Sequence, residues 1–223
     1  MSANSLASSS YTMRGPLRYV TRNSTGSSPG KTERAVTPWP LFLMLSGQFP
    51  PALSVSHAER SLGILNGWAS TLELLNGTDA QLTASLYGAQ LVNAAEIMRY
   101  TYSAWESADI EAFESMIRDI FYPPASQTTA SSTQNHPCRN VSLAKWGTGG
   151  EKAIVGFGVF LNNARMYKEG LDLYQNFACA DLNNTINEVG QNSESGRDQA
   201  HTQLSLGNMA ETCQTAFNQG DDS

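Results

Sequence analysis

Gln191–Gly220 reads QNSESGRDQAHTQLSLGNMAETCQTAFNQG, and its reading decides how the rest of the chain is understood. It opens on polar, turn-forming residues. It then becomes a helical pattern in which Ala200, Leu204, Gly207, Ala210, Cys213 and Phe217 recur at three- and four-residue spacing. That stripe is the expected buried face. The functional groups gather at the front, where Glu194, Arg197, Asp198, Gln199, His201 and Gln203 fall within ten residues. Arg197 and His201 stand one helical turn apart and can face one cleft. A guanidinium beside an imidazole can bind an acidic group and move a proton next to it. The plainer reading of the same residues is a capped, solvated helix start.

Working outward, the same periodicity recurs upstream. From Ser56, the residues Ala58, Leu62, Leu65, Trp68, Leu72 and Leu75 form one stripe, which Asn76-Gly77 closes. A second helix is expected from about Ala80 to Tyr100, with Leu82, Leu86, Ala89, Asn93 or Ala94, and Ile97 inward. Ser107 or Asp109 can cap a third, which buries Ile110, Phe113, Met116, Ile117 and Ile120 before Pro123-Pro124 stops it. A fourth, Ser142 to Leu161, is apolar and rich in small residues over much of its length, as an inner helix is. The fifth, Ala164 to Gln175, offers Met166, Tyr167, Leu171 and Tyr174 to it. With the final helix these make three antiparallel hairpins, an all-α chain with no competing strand pattern. A Ser/Thr/Gln-rich loop, Ala125 to Asn135, and a second loop, Asn176 to Ser195, separate them.

The chain has 223 residues, enough for one domain with a sizeable core, and a net charge of −6. That charge argues against nucleic acid as the main partner, because phosphate binding needs a concentrated basic surface. An acidic polymer would need basic groups focused in a cleft, a role open to Lys145, Lys152, Arg165 and Arg197. Met1 to Ala35, dominated by Ser, Thr, Gly and Arg, is expected to be a disordered or misassigned segment. Its scattered charges make it a poor signal peptide. No apolar run reaches membrane length. Cys138, Cys179 and Cys213 allow one disulfide; Cys138 with Cys179 is the better pair, since both sit in loops. Sequons at Asn23, Asn76, Asn140 and Asn183 suit a secreted protein.

SESGRDQAHTQLSLGNMAETCQTAFNQG resembles the segment of alginate-lyase-type proteins in which ESGRDQ is followed by a His, a helix with an Ala-Glu pair, and NQG. AKWGTGGEKAIVGFGVFLNNARMYKEGLDLY (Ala144 to Tyr174) is similar to a second block of that family. So are HAERSLGILNGWASTLELLNG and SLYGAQLVNAAEIMRY, between His57 and Tyr100. The resemblance covers roughly Val55 to Gly220. It implies an (α/α) toroid of helix hairpins, here incomplete and filling residues 36–223. It also implies export from the cell and β-elimination on an acidic polyuronate of alginate or glucuronan type.

That reaction neutralises the uronate carboxylate, removes the C5 proton and returns a proton to the leaving O4, with no metal or organic cofactor. Arg197 is the candidate for the carboxylate and His201 the candidate proton carrier. Each has a structural alternative, an ion pair with Glu194 or Asp198 for Arg197 and a capping contact for His201. His136 and Asn140 lie in NHPCRN, where the resemblance implies an Asn-His pair acting as amide or base. The family's catalytic Tyr has no secure counterpart near Arg197. Trp146, Glu151, Lys152, Glu194, Gln199 and Gln203 are candidate sugar contacts, the Trp by stacking, although a Trp at helical spacing is more often core. His57 and Trp68 are assigned structure only. The expected partner is an acidic polysaccharide and the expected state a monomer. The alternative is a non-catalytic carbohydrate-binding or scaffold remnant of the fold. A hydrolase would need two carboxylates facing across the bond, and nothing picks out such a pair. The three His and three Cys lack zinc-ligand spacing.

Overall fold

The computed structural model describes residues 11–13, 15–22, 55–128 and 145–221. The chain is mostly helical, in the order β1 (Tyr19–Thr21), α1 (Val55–Thr71), β2 (Leu74–Asn76), α2 (Ala80–Thr101) and α3 (Ser107–Met116). A π-helical turn (Ile117–Phe121) leads to α4 (Tyr122–Ser126), then α5 (Lys145–Phe160), α6 (Ala164–Asn176), α7 (Leu182–Thr185) and α8 (Gln199–Asn218). It divides into two compact units. The first holds the described residues of Met1–Ala80 and Gln90–Phe121, the second those of Gln81–Ala89 and Tyr122–Ser223. His136, Cys138, Asn140 and the rest of NHPCRN lie outside the described residues. Among the described residues, no helix is long and apolar enough to cross a membrane.

In the first unit, the stripe Ala58, Leu65 and Trp68 is buried as its periodicity requires. The helix nevertheless ends at Thr71, short of the expected Asn76-Gly77. Leu74–Asn76 instead pairs in parallel with Tyr19–Thr21, in register Tyr19 to Leu74, Val20 to Leu75 and Thr21 to Asn76. Part of the stretch expected to be disordered is therefore a strand, and Val20 and Leu75 bury their side chains. Gly77 is dictated by this pairing: its φ is +95°, and a Cβ there would stand 2.0 Å from the Arg22 carbonyl. α1 and α3 are fastened by Asn66, which accepts from Trp105 Nε1 at 3.0 Å and donates to Asp109 Oδ2. Asp109 thus serves this bridge, while the residue at the α3 N-cap is Glu106, whose side chain makes no cap bond.

Pro123-Pro124 does not stop the helix as expected. The widened turn Ile117–Phe121 resets the register. The prolines then fall in the first turn of α4, where a missing N–H leaves no bond unmade.

The second unit is built around α5, whose side chains are almost all buried. It forms an antiparallel hairpin with α6 through two glycine crossings. A Cβ on Gly158 would meet Tyr167 N at 2.4 Å, and one on Gly170 would meet Val155 Cγ2 at 2.6 Å. The Asn163 side chain starts α6 by accepting from Met166 N at 3.1 Å. α8 runs parallel to α5 on another side: Asn208 reaches the Lys145 carbonyl and Thr148 Oγ1, and further along Glu211 reaches Lys152.

Candidate functional site

α8 begins where its sequence says it should, because Asp198 is its N-cap. The Asp198 Oδ1 accepts from the His201 backbone N–H at 2.8 Å. Its second oxygen, Oδ2, lies 2.5 Å from His201 Nδ1. One carboxylate therefore starts the helix and orients the imidazole. The His201 N–H, reinforced by its ring and by Arg197, holds the Asp198 carboxyl below the usual range, so it stays ionised and acceptor-only. With Asp198 on Nδ1, Nε2 is the ring nitrogen that Asp198 does not take, and the His201 side chain is about one-third exposed.

Arg197 takes the other carboxylate. Its Nη1 stands 3.5 Å from Glu194 Oε2, and more than half of its side chain remains exposed. Glu194 is buried and also accepts from Lys145 Nζ at 3.2 Å, on the first turn of α5. The turn before α8 is thereby pinned to the start of α5. A local Asx turn supports it, with Asn192 Oδ1 accepting from Glu194 N at 2.8 Å, and Ser193 N bonds the Thr185 carbonyl. Gly196, at φ +93°, lets the chain reverse between Glu194 and Arg197.

The expected site residues therefore separate into two sets. Arg197, Asp198, Gln199, His201 and Gln203 share the accessible front of α8. Arg197 and His201 contact different carboxylates there, Glu194 and Asp198. Lys152 is withdrawn from any surface: it is buried on α5 and paired with Glu211 at 3.2 Å, and burial pushes its ammonium pKa down against the pull of Glu211. Glu194 is likewise an internal strut, and Trp146 is half-buried on α5. Cys179 is disulfide-bonded, and its partner lies outside the described residues; Cys213 is free.

The buried face of α8 differs from the expected stripe. Ser205, Asn208, Met209 and Thr212 pack inward, while Ala200, Ala210, Cys213 and Phe217 are exposed. The face is polar because it meets the Lys145 carbonyl and Thr148 on α5, and hydrophobic periodicity has no purchase on such a contact.

Glu151, which the sequence offers as a sugar-subsite residue beside Trp146 and Lys152, is placed in the interior instead. It is fully buried on α5, and neither of its carboxylate oxygens has a hydrogen-bond partner. Burial, with the Asp181 carboxylate second, pushes its pKa up to about 8, so it is a neutral acid at pH 7. The Tyr174 phenol on α6 is pushed up first by burial, then by its 3.0 Å contact with Cys213 Sγ, and last by Glu151. Among the described residues, no group of three His, Cys, Asp or Glu could hold a metal ion.

No protein-family model matches the chain, and no curated protein or solved structure matches it either.

Proposed function

We propose that this protein is a polysaccharide lyase that cleaves an acidic polyuronate of alginate or glucuronan type by β-elimination at the front of α8. The observation that carries the reading is the Asp198–His201 pair with Arg197 beside it. With Asp198 accepting at Nδ1, the lone pair falls to His201 Nε2, on a side chain about one-third exposed. The exposed Arg197 guanidinium binds the uronate carboxylate and stabilises the charge that develops as C5 is deprotonated. Nε2 takes the C5 proton, that electron pair forms the C4–C5 double bond, and O4 departs with a proton from an acid, for which His136 is the candidate. Asn140 is the candidate amide on the carboxylate. Gln199 and Gln203, exposed on α8, are candidate hydroxyl contacts, and Trp146 a stacking platform.

The architecture supports the same reading. A hairpin, α5 with α6, is followed by a helix, α8, that returns parallel to the first. Repetition of that step gives the inner ring of an (α/α) toroid. The resemblance of Val55 to Gly220 to alginate-lyase-type proteins points the same way. The alternative, a carbohydrate-binding remnant, is favoured by one observation: Lys152 and Glu194, two of the expected sugar contacts, are spent in internal ion pairs.

Elimination creates a conjugated double bond that hydrolysis does not. Ultraviolet absorbance of the protein with a panel of polyuronates is expected to rise on at least one substrate and to stay flat for Arg197→Ala and His201→Ala. Retained binding of the same polymers without any rise would replace the lyase with the binding remnant.

A further inference from the structure

The dipeptide Asn-Gly occurs twice in the chain, at Asn66-Gly67 and at Asn76-Gly77. Each is a reactive pair on chemical grounds, because a glycine leaves its own amide nitrogen unshielded and the preceding Asn supplies a carbonyl within ring-forming reach. The two sit in opposite surroundings. Asn66 is half-buried in α1, its Oδ1 accepting from Trp105 Nε1 at 3.0 Å and its Nδ2 donating to Asp109. Gly67 lies inside the same helix, where its N–H belongs to the main-chain ladder. Asn76, by contrast, is exposed at the end of β2. The Gly77 N–H, one residue past the paired strand, donates to Asn76 Oδ1 at 2.7 Å. The nitrogen therefore already lies against the side-chain carbonyl group of its neighbour.

We propose that Asn76 is a site of spontaneous deamidation, and that its isoaspartyl product releases the end of β1. The Gly77 nitrogen gives its proton to hydroxide and attacks Asn76 Cγ. The new N–Cγ bond closes a five-membered succinimide, and the Cγ–Nδ2 bond breaks to release ammonia. Water then opens the ring. Attack at Cγ leaves an aspartate, whereas attack at the main-chain carbonyl leaves an isoaspartate, in which the chain runs through Cβ and Cγ. Water is the one co-reactant, and both products add a negative charge. The isoaspartate also lengthens the main chain by a carbon at a place that has no slack. The Asn76 carbonyl accepts from Arg22 N at 3.0 Å, and Asn76 is the last residue in register with β1, opposite Thr21. Gly77 packs so closely on Arg22 that a Cβ would stand 2.0 Å from the Arg22 carbonyl. A chain lengthened between these two contacts cannot keep both.

The deamidation does not depend on the lyase reading. The full chain, made in a host that adds no N-glycan to the Asn76-Gly77-Thr78 sequon, is incubated in mildly alkaline buffer and its peptides are mapped by mass spectrometry. Asn76 is expected to exchange ammonia for water at least about tenfold faster than Asn66, which reacts only when α1 opens. In urea-unfolded chain the two rates should converge. Asn76→Gln should abolish the fast product. In the fraction that carries isoaspartate, hydrogen exchange at the Arg22 amide should be faster than in fresh protein. Three results would each overturn the proposal: an unchanged Asn76 in folded chain while the unfolded chain reacts, equal rates at the two sites in folded chain, or Arg22 exchange indifferent to the isoaspartate.

Discussion

Glu151 imposes a pH dependence on the second unit whose sign and size follow from its surroundings. Its carboxyl is fully buried, has no hydrogen-bond partner and faces Asp181 rather than a cation. Its pKa therefore rises on folding from the ordinary 4.5 to about 8. Below pH 4.5 the group is protonated in both states and costs nothing through ionisation. Between those two values the unfolded chain releases the proton while the folded chain keeps it, so stability falls with rising pH by at most about 1.4 kcal/mol per unit. The accumulated loss is on the order of 3 kcal/mol at neutrality and 5 kcal/mol once both states are ionised. Glu151→Gln keeps the shape and removes the titration. In urea unfolding followed by circular dichroism, the variant should match the wild type near pH 4.5 and exceed it by a few kcal/mol at about pH 8. Asp181→Asn should shrink the gap by relieving the like-charge contact. Parallel profiles for Glu151→Gln and wild type across that window would refute the reasoning, because Glu151 would then be solvated or paired.

Other consequences are open to simpler tests. Gly158→Ala and Gly170→Ala each push a methyl into the facing helix, Tyr167 backbone in one case and Val155 in the other, and should cost about 1–3 kcal/mol or more by denaturant unfolding. Asn208→Ala removes the donor to the Lys145 carbonyl and Thr148 Oγ1 and should cost about 1–3 kcal/mol in the same assay. Asp198→Ala should fray the front of α8 and lower elimination about a hundredfold. Asp198→Asn should keep the helix cap and still lose most of the rate, a split that dichroism and absorbance assays together would reveal.

Much of the helical plan is legible because apolar periodicity reports it directly. Ala58, Leu65 and Trp68, or Leu82, Ala89 and Ala94, bury where their spacing says they should. The small residues of α5 likewise announce a helix packed on several sides. What escapes is set by non-local or polar contacts. The strand Tyr19–Thr21 is three residues long, and its partner stands more than fifty residues away, so no local alternation marks it. The π turn before Pro123-Pro124 is a geometric adjustment that no single residue encodes. The last helix turns a polar side inward because Asn208 finds partners on α5. Its Ala, Cys and Phe stripe therefore misleads any rule that equates apolar with buried.

The site divides in the same way. Asp198 as a cap, and the closeness of Arg197 and His201, follow from local spacing. The capture of Glu194 by Lys145, the withdrawal of Lys152 onto Glu211 and the neutral acid at Glu151 depend on which helix faces α5. Charged residues in a helix read as solvated unless the partner helix is known.

The central claim is that His201 presents a proton-accepting Nε2 to a uronate. With three histidines in the chain, nitrogen-15 correlation spectra of the imidazoles can be assigned by substitution. The account predicts that neutral His201 carries its proton on Nδ1, and that its Nε2 resonance shifts when uronate oligomers are added to wild type but not to Arg197→Ala. A proton on Nε2, or a resonance indifferent to every uronate, would contradict it.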